Sequence, residues 1–177
     1  MQMAMRFFIA LSALLLAPAS LHAQEQTACP APAHPLEEPW SAWSSARTAV
    51  DAGKSAASAP ALAIGTPVTL QLAPLSGVTL ARPPEAKLDP ARFDGLLSLD
   101  LAADSRVGIA LSHAAWVDVL SGNEAQTSID HDHGPDCSGI RKIVWFDLDA
   151  GRHVVQIVNS PAASVTIMSV VVTPTVD

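Results

Sequence analysis

Hydrophobic and polar residues alternate with a period of two along most of the chain from Thr66 onward. Residues that alternate in this way form one buried face of a β-strand, and Gly, Pro, Asn and Asp separate the stretches as turn residues do. The pattern predicts seven to nine short strands and an all-β, antiparallel, jelly-roll-like sandwich over residues 63–177. The stretches are Val68 to Leu72, Val78 to Leu80, Leu97 to Leu101, Val107 to Leu111, Trp116 to Leu120, Val144 to Leu148, Val155 to Ile157 and Val165 to Thr173.

The segment before this domain has neither the period of a strand nor that of a long helix. Residues 24–62 form a Pro- and Ala-rich tail. Within it, Pro39 suits the first turn of a helix, and Trp40 and Trp43 would share one face. The sequence therefore allows a short helix from Trp40 towards Lys54.

The first 23 residues have the organisation of a secretory signal peptide. Arg6 supplies a positive charge, residues 7–17 are apolar, and Leu21-His22-Ala23 ends in a small residue. The apolar run is shorter than the roughly 20 residues of a membrane span. We expect cleavage before Gln24, no lipoprotein anchor at Cys29, and a periplasmic or secreted protein without a membrane span.

The charge balance limits the partners that the protein could bind. Ten Lys and Arg face 17 Asp and Glu, which gives a formal net charge of −7. An acidic chain without a basic stripe argues against nucleic acid and anionic membranes as partners. An unidentified protein or a small ligand is expected instead.

The chain has two cysteines, Cys29 and Cys137. Exported proteins meet an oxidising environment, and two cysteines allow one intramolecular pairing. We therefore predict a Cys29–Cys137 disulfide, which would leave Cys137 neither a nucleophile nor a metal ligand.

Two stretches carry a resemblance to known families. From Arg106 to Val172 the order of strands, with Ala-Gly-Arg-His-Val-Val at 150–155, is similar to the jelly-roll domains found after secreted bacterial peptidases. His-x-His-Gly-Pro-x-Cys-Ser-Gly-Ile-Arg-Lys at 131–142 resembles a motif of short exported bacterial proteins, some of which have been assigned as homogentisate 1,2-dioxygenases. That assignment implies a cupin iron site made by two His and one Glu.

The residues agree only partly with such an iron site. His131-x-His133 matches the middle of a cupin motif, but no Glu follows Glu124 in the chain. A further ligand would have to be His153, at an unusual spacing. A small metal-dependent dioxygenase is therefore the alternative function, behind a binding module.

Residues 130–137 hold the densest potential chemistry of the chain. On an extended backbone His131 and His133 point to one side, and the intervening aspartates point to the other. The two imidazoles make half of a zinc, copper or iron site, which Asp136, His113 or His153 could complete. The second side offers an alternative oxygen site for calcium, made by Asp130, Asp132 and Asp136.

A simpler interpretation stays open beside these. The segment could be a solvated turn at Gly134-Pro135, in which Cys137 anchors the tail and Arg141 and Lys142 neutralise the carboxylates. A cupredoxin is disfavoured because no His or Met closely follows Cys137. A serine hydrolase is disfavoured because the chain has no Gly-x-Ser-x-Gly.

The four tryptophans admit two interpretations. Trp40, Trp43, Trp116 and Trp145 could make a sugar-stacking platform, but aromatic residues are only 5% of the chain, so we expect core anchors. Asp118 would share a face with Trp116 and be either exposed or paired with an arginine such as Arg106. Taken together, the sequence predicts an exported, non-enzymatic binding or accessory module whose first expected ligand is a divalent metal.

Overall fold

The computed structural model describes Cys29 and residues 35–172. The predicted signal peptide and its cleavage site lie outside the described residues. No helix among the described residues is long and apolar enough to cross a membrane.

Eleven strands lie in the described part of the chain and form two sheets. Sheet A has the order β1-β2-β11-β5-β9-β8 and sheet B the order β3-β4-β10-β6-β7. All pairs of neighbouring strands are antiparallel except β1 and β2. This confirms the predicted all-β, jelly-roll-like sandwich. The strands are β1 Thr48–Asp51, β2 Val68–Gln71, β3 Ala73–Pro74, β4 Phe93–Leu101, β5 Ser105–Leu111, β6 Trp116–Ser121, β7 Glu124–Ala125, β8 Asp130–Asp132, β9 Lys142–Leu148, β10 Gly151–Ser160 and β11 Ser164–Val172.

The main core lies between the two sheets and contains the alternating residues that the sequence indicated. Every second side chain of β4, β5, β9 and β10 points inward, as the pleat of a strand requires. These side chains are fully or almost fully buried and contact one another across the sheets: Leu97, Leu99, Leu101, Val107, Ile109, Leu111, Val144, Phe146, Leu148, Val155 and Ile157.

A second apolar cluster covers the outer face of sheet A. Trp40, just before a 3-10 turn at Ser41–Ser44, and Trp43, within that turn, pack there with Ile140, Ile143, Ala110, Met168 and Val170. Trp145 meets the edge of Trp40 at 5.8 Å between ring centroids and lies over Gly108, where a Cβ would come within 2.7 Å of the indole. Gly108 therefore makes room for Trp145.

Part of the segment before residue 63 pairs with strands of the sandwich, whereas the composition of residues 24–62 predicted a tail. The 3-10 turn ends at Ser44, and the chain does not continue as a helix to Lys54, since Thr48–Asp51 forms strand β1 parallel to β2. Further along, Gly53 and Ala61 form isolated bridges to Leu96 and Ser98 of β4. This stretch thus covers the open edge of β4.

One other local expectation was wrong. Val78 and Leu80 lie in an irregular segment rather than in a strand. The register of β10 against β4 shifts between Ile157 and Ser160, where Asn159 takes a left-handed φ of 59°. This irregularity turns the Asn159 side chain towards the loop at 78–92. Its Oδ1 accepts a hydrogen bond from Asp89 N, and its Nδ2 donates one to Lys87 O.

The predicted disulfide is confirmed. Cys29 and Cys137 are joined, with their Cα atoms 5.4 Å apart and a separation of 108 positions in the sequence. The bond attaches the segment before the sandwich to the loop between β8 and β9.

Candidate functional site

The segment from Ile129 to Arg141, here called the histidine loop, begins as the edge strand of sheet A. In β8, His131 lies opposite Val144 of β9, while Asp130 and Asp132 lie opposite Trp145 and Ile143. Directly opposed residues of an antiparallel pair share a face, so His131 points to the inner side and the two aspartates to the outer side. The predicted division into a histidine side and an aspartate side is therefore present in β8.

The rest of the histidine loop is exposed but fixed by local contacts. Ser138 N donates to Pro135 O at 3.0 Å, and the Ser138 hydroxyl accepts from Ile140 N at 3.0 Å. Ile140 is buried in the outer cluster, and a Cβ at Gly134 would collide with its side chain. Cys137 takes a left-handed φ of 61° in the disulfide. The loop is thus held at its centre as well as at its ends.

His133 has one of its two ring nitrogens engaged. Its Nδ1 lies 2.9 Å from the carbonyl oxygen of Arg141 and 2.9 Å from the Arg141 Nη1. When Nδ1 carries the hydrogen, it donates to that carbonyl, and Nε2 keeps a free lone pair. When Nδ1 accepts from the guanidinium, Nε2 carries the hydrogen. The first tautomer is the one that could bind a metal ion.

The carboxylates of the loop are partly used by the backbone. Asp130 Oδ1 accepts from His131 N at 2.8 Å, and Asp132 Oδ1 accepts from His133 N at 2.6 Å. Each carboxylate thereby fixes the histidine that follows it. The second oxygen of each remains for solvent or a cation.

His113 lies in the connection between β5 and β6. The Ser112 hydroxyl accepts from Thr166 N and lies 2.9 Å from His113 Nδ1, so its own hydrogen can be donated to that nitrogen. His113 is half-buried, and its contact is with this local serine. Its place in the fold is therefore fixed by β11 rather than by the histidine loop.

His153 is a core histidine in sheet B. It is only 2% exposed and shares a face with Val155 and Ile157. Its Nε2 lies 2.9 Å from Asp149 O, which can only accept, and its Nδ1 lies 2.9 Å from the Ser121 hydroxyl, which can donate. Both nitrogens are used in this neutral arrangement, so His153 has no lone pair to offer a metal.

The predicted ligand sets are therefore not gathered in one place. Over Cys29 and residues 35–172, no group of three or more His, Cys, Asp or Glu side chains is placed to hold a metal ion. This applies to both candidate sets: His131, His133, Asp136, His113 and His153 on one hand, and Asp130, Asp132 and Asp136 on the other. The open iron site that a dioxygenase needs is likewise not assembled from these residues.

Arg141, the last residue of the histidine loop, and Lys142 were expected to neutralise the carboxylates of the loop, but the structure gives them other partners. Arg141 contacts His133. Lys142 is half-buried and donates to Ala115 O at 2.9 Å, and its ammonium lies 5.8 Å from the centroid of the Trp116 ring. Burial lowers the pKa of Lys142, which Asp118 partly counters by its charge.

Sequence reasoning missed a groove of about 280 Å³ beside β6. Trp116 lines it, and the indole Nε1 donates to Asp118 Oδ1 at 2.6 Å. The other carboxylate oxygen of Asp118 accepts from Gln156 Nε2 at 3.1 Å. Arg106, the partner considered for Asp118, instead forms a two-point ion pair with Asp147 at 2.9 and 3.2 Å.

Gln156 also fixes the opposite wall of this groove. It is completely buried, its Oε1 accepts from Ala81 N at 2.8 Å, and its Nε2 donates to Arg82 O at 3.0 Å. The segment 82–85 is thereby held across the outer face of sheet B. An amide within the apolar run from Val154 to Val158 was the signal that could have indicated a covering loop.

Asp94 is a second buried polar residue on this side of the molecule. Its Oδ1 accepts from Asn159 N at 2.8 Å, whereas Oδ2 has no hydrogen-bond partner among the described residues. Burial raises the pKa of this carboxyl, and the hydrogen bond from Asn159 only partly opposes the shift. Its ionised form is thus destabilising in the folded state.

Comparison of the chain with known protein families and with curated proteins found no match.

Proposed function

We propose that the protein is an exported, non-enzymatic binding or accessory module that presents the histidine loop to its ligand. The observation that supports this most is the combination of exposure and fixation in that loop. His131, His133 and Asp136 are exposed, while Ile140, Cys137 and the β8–β9 pairing hold the backbone that carries them. A surface that is already ordered loses less conformational entropy when it binds.

A divalent metal is the first ligand to consider. The contact of His133 Nδ1 with the Arg141 carbonyl is the type of second contact that orients a metal-binding imidazole through Nε2. His131, two residues earlier, has an exposed ring. Imidazole ligands favour zinc or copper over calcium, so we rank the histidine set above the aspartate set. Water or a partner protein would complete the coordination.

The metal proposal is tested by titrating the purified, metal-free protein with Zn²⁺ and Cu²⁺ in a calorimeter. We expect saturable binding near one ion per chain, and at least tenfold weaker binding for His133→Ala and for His131→Ala. His113→Ala is the matched control, because that ring is bonded to Ser112 and should leave the affinity unchanged. Equal affinity in the wild type and the double His131/His133 variant would refute the site.

Export is tested separately from ligand binding. The intact mass and N-terminal sequence of the protein isolated from its own host should show a chain that begins at Gln24. Detection of the uncleaved chain in the cytosol would contradict this part of the proposal.

A further inference from the structure

We propose that the groove beside β6, here called the Trp116 groove, is a binding site for a pyranose sugar. This inference does not depend on the metal proposal, because the groove and the histidine loop share no residue. The groove is defined by Trp116 and Asp118 on β6, by Arg82 and Glu85 on the covering loop, and by Gln126 and Thr127 after β7.

The first argument is the exposure of the indole. Of the aromatic side chains in residues 35–172, only that of Trp116 is exposed, with 37% of its surface accessible. Trp40 and Trp43 are buried, as expected of core anchors, and Trp145 is half-buried under Trp40. The exposed part of the indole is a flat apolar surface, and a ligand that covers it gains free energy by removing that surface from water.

The second argument is that the indole is held in place. Its N–H is taken by Asp118, Asp118 is held by Gln156, and Gln156 is buried in the sheet. The ring therefore cannot rotate freely. Its N–H is taken and the Lys142 ammonium lies 5.8 Å from its centroid, so a ligand would contact the part of the flat surface that remains exposed. A fixed aromatic plane stacks on a ligand at small entropic cost.

The third argument is the mixture of groups around the ring. The lining combines apolar side chains, Val117, Leu120 and Phe146, with a guanidinium, carboxylates, an amide and hydroxyls. A pyranose has the complementary surface: one face of C–H groups for an aromatic ring, and a belt of hydroxyls that donate and accept hydrogen bonds. The volume of about 280 Å³ is at the lower end of small-molecule sites and suits one or two sugar rings.

Two other ligand classes fit the groove less well. A cationic ligand would meet the ammonium of Lys142 5.8 Å from the Trp116 ring and the guanidinium of Arg82 at the rim. A proline-rich peptide binds across several exposed aromatic residues, whereas this groove offers a single exposed one within the described residues.

The test is titration of the full-length protein, monitored by intrinsic tryptophan fluorescence and by calorimetry, with glucose, galactose, mannose, N-acetylglucosamine, cellobiose and maltose. We expect at least one of these probes to bind saturably with a dissociation constant of about 1 mM, as befits a small open site. Trp116→Ala should weaken binding about tenfold or more, and Trp116→Phe should retain most of it.

The matched control is Val171→Ala, which removes an exposed apolar side chain from β11 in the other sheet. It should leave sugar binding unchanged, as should a chelator and the His131/His133 double variant. Thermal melting of each variant establishes that it is folded. Absence of saturable binding to every sugar, unchanged binding by Trp116→Ala, or binding of a proline-rich peptide in place of sugar would overturn the proposal.

Discussion

Replacement of both cysteines by serine tests how the disulfide stabilises the sandwich. In the unfolded chain the bond closes a loop of 108 residues, and loop-closure entropy assigns to this about 4–5 kcal/mol. That figure assumes that the folded protein is unchanged when the bond is absent. The structure shows why the net effect should be smaller.

In the folded double-serine variant, residue 29 is released while the sandwich remains. Leu36 is the next described residue along the chain that packs on the outer cluster. The native bond therefore closes a segment of only about seven residues against an already folded domain. The difference between closing 108 and about seven residues is about 2–2.5 kcal/mol, because the cost grows only with the logarithm of length.

Urea unfolding at pH 7, monitored by tryptophan fluorescence, measures this difference. We expect Cys29→Ser/Cys137→Ser to lower the free energy of unfolding by about 2 kcal/mol and the melting temperature by about 7 °C. A loss of more than 4 kcal/mol, or of less than 0.5 kcal/mol, would refute the reasoning.

Three further changes probe the interior, each through urea unfolding. Asp94→Asn should stabilise the protein by about 1 kcal/mol at pH 7, because the raised pKa means that the ionised carboxyl opposes folding; this gain should shrink as the pH falls towards 4, and a pH-independent gain would contradict it. Gly134→Ala should cost about 1–3 kcal/mol through collision with Ile140, whereas Gly77→Ala, with open space around it, should be nearly neutral. Gln156→Leu should cost about 3 kcal/mol despite complete burial, since it leaves several buried polar groups unpaired; a neutral result would show that the amide network contributes little.

The alternating pattern predicted most of the fold because the inner faces of the long strands are apolar with few exceptions, such as His153 and Ser169. It failed where the structure of a segment depends on pairing or packing with residues distant in the sequence. Thr48–Asp51 is a strand because β2 offers it a parallel edge, which no local pattern reports. The outer faces are also apolar in places, as at Leu96, Leu120 and Val158, because loops cover them. The covering loop at 78–92 therefore could not be distinguished from an ordinary surface connection.

The candidate site was predictable only as far as the strand period extends. The period correctly separated His131 from Asp130 and Asp132, since the register of β8 against β9 follows it. It could not tell which histidines converge, because convergence depends on the order of strands in two sheets. The sequence nevertheless indicated the position of His153. It lies two residues before Val155 and four before Ile157, so all three side chains point to the same face of the strand, which is the buried one.

The buried polar residues on the outer face of sheet B explain why a groove exists beside β6. Gln156 bonds Asp118 on one side and the backbone at Ala81 and Arg82 on the other, so one amide positions both walls. Its loss should therefore reduce stability and alter the groove together, whereas Trp116→Ala removes an exposed ring whose one hydrogen bond is to Asp118. If Gln156→Leu weakens sugar binding while Trp116→Ala leaves the stability unchanged, the amide acts by positioning and the indole by contact. The two variants together would thus show that a buried amide of sheet B determines the shape of a binding groove on its surface. Alternation of residues along the chain does not reveal this link.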